Sequence, residues 1–391
     1  MTQPTLGVLT LYLNDNGLLE ERGIYRMMTI EGKKLGLDVV VFTPQDVNYN
    51  QNRIHAHVYQ PGRGSWRRRW MAMPDAIFDR CRIQRSHRYD ELLKFRSRYA
   101  KLNFLNRPLR NKWTIHNVLA KDDRFRPYLP RTRFFNSVQD VHEMLRRHAL
   151  LYLKPVNGTG GRGILRIQKL SGGAVHIQGR DASRRIIQPC KVSQTGLGSY
   201  LSRWNMQSTK YIVQQGIQLK LMNGRVHDYR LLVQKGADGR WEMTGCAGRI
   251  GAPGSITANL HGGGRAAKME YLLRHWINDE QSIARLKQEV SLLGTNIAAY
   301  LEQCYDALCE LAIDLAIDRS GHIWLIEVNP KPAREVFRHA GEEEAYRDAI
   351  KRPLQYALWK IRHAGQHRSR LQESAEGIAH DRVPSGTSSP E

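Results

Sequence analysis

Cysteine is scarce and poorly placed for pairing. The five residues Cys81, Cys190, Cys246, Cys304 and Cys309 among 391 form an odd set with no CxxC pair and no Cys/His cluster at zinc-ligand spacing. A disulfide framework and a zinc module are thereby excluded, and reduced thiols are expected. Long apolar runs are also missing: no stretch approaches the roughly 20 residues that a membrane-spanning helix requires. The opening MTQPTLGVLT lacks the basic start, apolar centre and small-residue cleavage site of a signal peptide. These absences predict a cytoplasmic protein. Acidic residues are in short supply, with Asp+Glu 37 against Lys+Arg 60 and a formal charge of +23. Such an excess attracts polyanions in a salt-dependent way, and it names a sign, not a partner.

What is present is enough to fold. Hydrophobic residues make up 41% and charged residues 25%, ordinary globular values, and the length allows about two or three domains. A strand pattern over Leu6 to Leu13, a helix-length segment over Gly17 to Gly36 and a branched run over Asp38 to Pro44 make a βαβ opening without a phosphate-loop pattern. The arginine-dense stretch Arg63 to Arg69 (RGSWRRR), with Trp66 and Trp70, reads as a basic loop, either a nucleic-acid patch with interleaved aromatics or a solvated face. Asp75, Asp79 and Arg80 read as capping and pairing groups at a strand end. Helical patterns over His87 to Tyr99 and Lys112 to Ala120 put a domain boundary near residue 100. Further on, a helix is expected over Asn296 to Ala312, with a strand pair bracketing Arg319 to Gly321. The chain is α+β in character and predicts three parts: an N-terminal α/β domain with a basic loop over 1–100, a main domain over 101–365, and a flexible tail over 366–391.

Two constellations carry chemistry. Strand (LLYLKP), glycine turn (NGTGGRG) and strand (ILRIQK) follow one another between Leu150 and Lys169, and Gly158, Gly160 and Gly163 satisfy G-x-G-x-x-G. A dinucleotide fingerprint must open a helix, which ILRIQK does not, and no H-R-D-L or D-F-G element supports a protein kinase. What remains is a hairpin whose amides close over phosphates, with Lys154 just before it, or an ordinary glycine-rich hairpin. The second constellation is Asp314, Glu327 and Asn329. Residues 327 and 329 share a strand face, and the hairpin returns Asp314 alongside, so two carboxylates and an amide oxygen converge as hard ligands suited to Mg²⁺. The alternative is a salt bridge from Glu327 to Lys331 or Arg334. His227, His261 and His275 have no metal spacing and read as surface or supporting groups.

Lys112 before a helix, Lys154 before the glycine loop, the D-x-R strand of Asp228 and Arg230, the pair Arg249 and Asn259, and the closing E-V-N-P together resemble the ATP-grasp superfamily. The wording PDAIFDR, NKWTIH, YLKPVNGTGGRGI, YIVQQGIQL, HDYRLLVQ and WLIEVNPKP is similar to the YheC/YheD family of endospore coat-associated ATP-grasp proteins. This resemblance implies an ATP-grasp fold, two α+β lobes around an ATP site with a lid subdomain at about 131–210, behind a small N-terminal α/β domain. It implies that Lys112 and Lys154 contact phosphates and the adenine edge, that Gly158, Thr159, Gly160, Gly161 and Gly163 form a lid, and that the backbone of Gln214, Gln215, Gly216 and Ile217 reads adenine. Asp314, Glu327 and Asn329 would hold Mg²⁺, and Arg230, Arg249 and Asn259 would sit near the γ-phosphate and an acyl phosphate. Gln214 and Gln215 stand where many superfamily members carry a glutamate. The stretch Arg249 to Gly264 resembles ligases that add amino acids to peptides, so the expected activity is ATP-dependent carboxylate–amine ligation with an anionic acceptor or carrier, in the setting of the spore coat. A non-catalytic ATP-binding coat protein and a polyanion- or nucleic-acid-binding protein are the rival readings.

Overall fold

A computed structural model describes residues 3–82, 86–109, 111–158, 160–204, 209–260, 263–277 and 279–380. They form two compact units: Met1–Asn106 with Lys235–Arg240 and Ile350–Glu391, and Arg107–Gln234 with Trp241–Ala349.

The first unit carries β1 (Thr5–Leu9), α1 (Arg22–Lys34), β2 (Asp38–Phe42), β3 (Val47–Asn48), β4 (Arg53–Gln60), β5 (Ser65–Ala72), β6 (Ala76–Asp79) and α2 (His87–Arg98). The sheet order is β3-β4-β2-β1-β6, with β5 added to β4. β1 runs parallel to both β2 and β6, which is why LGVL, VVVF and AIF read as unbroken apolar runs: parallel strands are covered on both faces. Val40, Phe42, Ile54, Ile77, Leu92 and Phe95 form the centre of its core.

The arginine-dense stretch is not a loop. β5 pairs along its whole length with β4, setting Tyr59 opposite Trp66, His57 opposite Arg68 and His55 opposite Trp70. Residues directly opposite share a face, and His55 stacks on Trp70 with centroids 4.8 Å apart. Aromatic cross-strand pairs thus hold a strand whose charges discourage edge pairing. Arg68 is not an uncommitted charge: it meets Asp46 at 2.5 Å. At the end of β6, Asp79 pairs with Arg96 at 2.7 Å and buried Arg80 with Glu21 at 2.8 Å, the pairing role expected of them.

The second unit begins with α3 (Lys112–Ala120), β7 (Thr132–Phe134), α4 (Val138–Arg147), β8 (Leu150–Pro155), β9 (Ile164–Lys169), β10 (Val175–Arg180), β11 (Ile186–Val192), α5 (Gly196–Arg203) and β12 (Tyr211–Gln215). Their sheet has the order β11-β10-β9-β8-β12-β7, with α4 and α5 covering Leu151, Leu153, Leu165 and Ile167. It continues with β13 (His227–Lys235), β14 (Trp241–Ile250), β15 (Arg265–Lys268), α6 (Met269–Trp276), α7 (Glu280–Tyr305), β16 (Glu310–Ile317), β17 (Ile323–Asn329) and α8 (Glu335–His339), while α9 (Glu343–His380) starts in this unit and from Ile350 onward belongs to the first. Here the order is β15-β14-β13-β16-β17, and Leu231, Val233, Ile313 and Leu315 pack with Leu293, Ile297 and Leu301 of α7.

The helix expected over Asn296 to Ala312 ends at Tyr305, because Asp306 takes a positive φ of 62° and turns the chain into β16. Leu308 and Ala312 are therefore core residues of the loop and strand rather than of a helix. α9 continues to His380, through part of the segment expected as a tail; 381–391 lie outside the described residues. Among the described residues no helix is long and apolar enough to cross a membrane.

Candidate active site

The site is built on one face of the β15–β17 sheet. Arg230 on β13 stands opposite Asp314 on β16, and Asp314 stands opposite Glu327 on β17. This alignment depends on a bulge. From Ile317↔Ile323 to Leu315↔Leu325 the register is that of a simple hairpin, which would next oppose Asp314 to Ile326; a shift between Asp314 and Leu315 opposes it to Glu327 and Ala312 to Asn329. Without that extra residue Glu327 would share a face with Ile313 of the core. The grouping of Asp314, Glu327 and Asn329 expected from spacing is thus present, for a reason that simple hairpin counting does not supply.

Arginines neutralise the acids. Arg230 makes a two-pronged contact with Asp314, its Nη2 at 3.1 Å from Oδ2. Arg249 on β14 grips Asp228 at 2.6 and 2.7 Å and also reaches Asp314 at 3.1 Å. Burial works against ionisation of Asp314, but Arg230 and Arg249 outweigh it and hold the carboxyl below its usual range. At Asp228 burial prevails over Arg249 and lifts the carboxyl above its usual range. Asp228, part of the D-x-R strand, is thus the partner that orients Arg249.

β8 and the start of α3 bring two lysines, Lys154 and Lys112, to the same region of this unit. Lys154 donates to Gln214 Oε1 at 2.5 Å, and Gln214 in turn donates to Thr132 at 3.1 Å. Burial pushes the Lys154 ammonium down to about 8, against the pull of Glu327. Lys112, at the start of α3, donates to the Gly158 carbonyl and lies 3.4 Å from Glu327. Arg334, offered above as an alternative partner for Glu327, instead pairs with Glu310 at 2.6 Å, both side chains fully buried.

In the linker, the amides of Gln215 and Gly216 donate to Arg131 and Leu150 at 2.7 and 2.8 Å. Two of the amides expected to read adenine are therefore spent within the sheet, and Gln214 contributes its side chain. A Cβ on Gly216 would overlap Leu150, so only glycine lets this linker pass.

In the glycine hairpin, Gly160, Gly161 and Gly163 all have positive φ. A Cβ on Gly161 would lie 3.0 Å from Asn259 Nδ2, so the hairpin tip meets the loop that carries Asn259. Thr159 lies outside the described residues, as does His261. His227 is fully buried, not a surface group, and bonds the Leu219 carbonyl at 2.8 Å; His275 is exposed.

Among the described residues no group of three or more His, Cys, Asp or Glu is placed to hold a metal. Two carboxylates and the amide of Asn329 are nonetheless hard oxygen donors on one face. Such a set would suit Mg²⁺, a hard cation that also accepts phosphate oxygens.

The YheC/D-like ATP-grasp family model matches residues 101–359. The endospore coat-associated protein YheC of Bacillus subtilis (strain 168) is 28% identical over 319 residues, 80% of this chain and 85% of that protein. YheD of the same organism is 24% identical over 325 residues, covering 82% and 70%. Among solved structures, D-cycloserine synthetase DcsG superimposes with a TM-score of 0.54 at 12% identity, covering 91% of this chain and 99% of that one. The ATP-grasp ligase PsnB complexed with minimal precursor gives 0.50 at 14%, covering 89% and 99%. The α+β architecture, the family match and these superpositions agree: the chain has the ATP-grasp fold and belongs to the YheC/D-like ATP-grasp family.

Proposed function

We propose that this protein is an ADP-forming carboxylate–amine ligase. The observation that carries the reading is the row Arg230–Asp314–Glu327 across three strands, with Arg249 tied to both Asp228 and Asp314. Fixed, preorganised charge of this kind is suited to phosphoryl transfer, where positioning and electrostatics supply most of the catalysis.

In the proposed reaction a substrate carboxylate oxygen attacks the γ-phosphorus of ATP, the bond to the bridging oxygen breaks, and ADP leaves. The amine nitrogen of the second substrate then attacks the acyl carbon and releases phosphate, its surplus proton passing to solvent. Lys112 and Lys154 take the phosphates and the adenine edge, and the glycine hairpin covers them with Asn259 at its tip. The carbonyls of the linker Gln214 to Ile217 and the remaining amide of Ile217 face adenine, while Arg230 and Arg249 balance charge on the transferred group. Asp314, Glu327 and Asn329 hold Mg²⁺, which supplies Lewis-acid neutralisation of the phosphates when bound.

The names of YheC and YheD associate them with the endospore coat, and we place this activity in the same setting. ATP turnover by the wild-type chain and by Glu327→Gln tests the reading. Magnesium-dependent ADP release that the variant loses supports it, and equal turnover by both overturns it.

A further inference from the structure

Beside the glycine hairpin the second unit gathers positive charge that the proposed reaction does not use. Arg180 ends β10 and Arg184 sits in the turn to β11, while Arg162 belongs to the hairpin itself. The turn is tied to the hairpin by the Gly163 amide, which donates to the Asp181 carbonyl at 3.0 Å. Arg184 takes a positive φ of 70°, in the left-handed region that non-glycine residues seldom adopt, and so turns its side chain back over the hairpin. Its guanidinium lies against Gly160: a Cβ there would be 2.7 Å from Nη2.

The acid of this turn is already committed. Asp181 accepts from the amides of Ser183 and Arg185 at 2.8 and 2.9 Å and pairs with the Arg185 side chain at 3.0 Å. Buried Arg180 donates to Ser255 Oγ at 3.1 Å. Arg184 Nε and Thr257 Oγ1 are among the buried polar atoms here that have no hydrogen-bond partner among the described residues. Thr257 is on the hairpin's side, since a Cβ on Gly161 would lie 3.4 Å from that oxygen. The Arg184 guanidinium loses proton affinity through burial and through the like charges of Arg162 and Arg180. Crowding three arginines and leaving a buried N–H unpaired is costly unless an anion completes the set.

We propose that Arg162, Arg180 and Arg184, with Thr257, form a binding site for the carboxylates of the amine substrate, which is an acidic amino acid or acidic peptide. The inference rests on the ligase reading and adds the class of acceptor to it. Arg162 and Arg184 each offer a guanidinium fork beside the hairpin, so an acceptor with two or more carboxylates matches the cluster better than one with a single carboxylate. Planar guanidinium forks bind carboxylates in pairs of hydrogen bonds, which would fix the acceptor while its amine stays free to react.

The experiment uses the full-length protein with saturating Mg·ADP and measures binding of triglutamate and triglutamine, alongside the affinity for Mg·ADP itself, in wild type, Arg184→Gln and Arg162→Gln. The expected result is triglutamate bound at least tenfold more tightly than triglutamine by wild type. Each substitution should weaken triglutamate about five- to tenfold and leave triglutamine unchanged, and Arg184→Gln should alter Mg·ADP affinity less than twofold. Arg184→Lys, which keeps the charge and loses the fork, should fall between. Three results would overturn the proposal: no preference for triglutamate, no effect of either substitution on it, or a loss of Mg·ADP affinity that equals the loss for the peptide, which would assign these arginines to nucleotide phosphates. Failure of wild type to bind Mg·ADP at all would instead strike the ligase reading.

Discussion

Each side chain in the row is held by an opposite charge, so single substitutions separate chemistry from folding. Glu327 is partly exposed and its modest ion pair to Lys112 spans 3.4 Å. Glu327→Gln should therefore reduce ADP formation on the order of a hundredfold or more while Tm stays within about 3 °C of wild type. Full activity, checked by coupled ADP release, would remove Glu327 from the site. Arg334 is the opposite case: Arg334→Met would leave Glu310 charged and buried, and should cost about 3–5 kcal/mol with a clear drop in Tm. Lys154 makes a pH prediction. Its folded value of about 8 lies below the ordinary 10.5, so between those values the unfolded chain binds more protons. This group's contribution then makes the nucleotide-free protein more stable as pH rises through that window. Urea midpoints should show the rise, and Lys154→Met should flatten it. Activity should move the other way, the KM for ATP rising above pH 8 as the ammonium loses its charge.

At the level of elements, local pattern foretold much of the architecture. The βαβ opening, α3, the glycine hairpin and the β16–β17 pair all follow from periodicity and turn residues. What escaped depended on partners distant in sequence. RGSWRRR resembles a solvated loop until β4 supplies Tyr59, His57 and His55 opposite it, and Arg68 appears uncommitted until Asp46, 22 residues away, is placed beside it. The bulge that aligns Asp314 with Glu327 is a register choice, set by burying Ile313 and Leu325 rather than by any turn signal. Gly216 was expected only as part of a linker, yet its lack of a side chain is what lets it pass Leu150; Gly216→Ala should lower stability by about 1–3 kcal/mol, read as a shifted denaturation midpoint. The glycine hairpin should gain amide protection from hydrogen exchange when Mg·ADP is added, since phosphate contacts offset the backbone freedom its glycines lose. Equal protection with and without nucleotide would contradict a covering role.

Across the whole molecule, we propose that the excess of +23 serves the capture of anionic substrate. Arg68 maintains the Asp46 network and must be kept, whereas Arg63, Arg67 and Arg69 are exposed. Replacing those three with serine should lower kcat/KM for an anionic acceptor severalfold at low salt, with little effect at high salt or on the KM for ATP. An unchanged salt profile would take β5 out of substrate capture. The proposed chemistry is amide formation through an acyl phosphate. Its most direct test supplies ATP, Mg²⁺, acidic acceptors and a mixture of carboxylates labelled with heavy oxygen, then follows nucleotide, phosphate and product mass together. An acyl-phosphate ligase yields ADP and amide in equal amounts, with one labelled oxygen passing from carboxylate to the released phosphate. Release of AMP and pyrophosphate, or ADP formed with no amide and no label in phosphate, would contradict it.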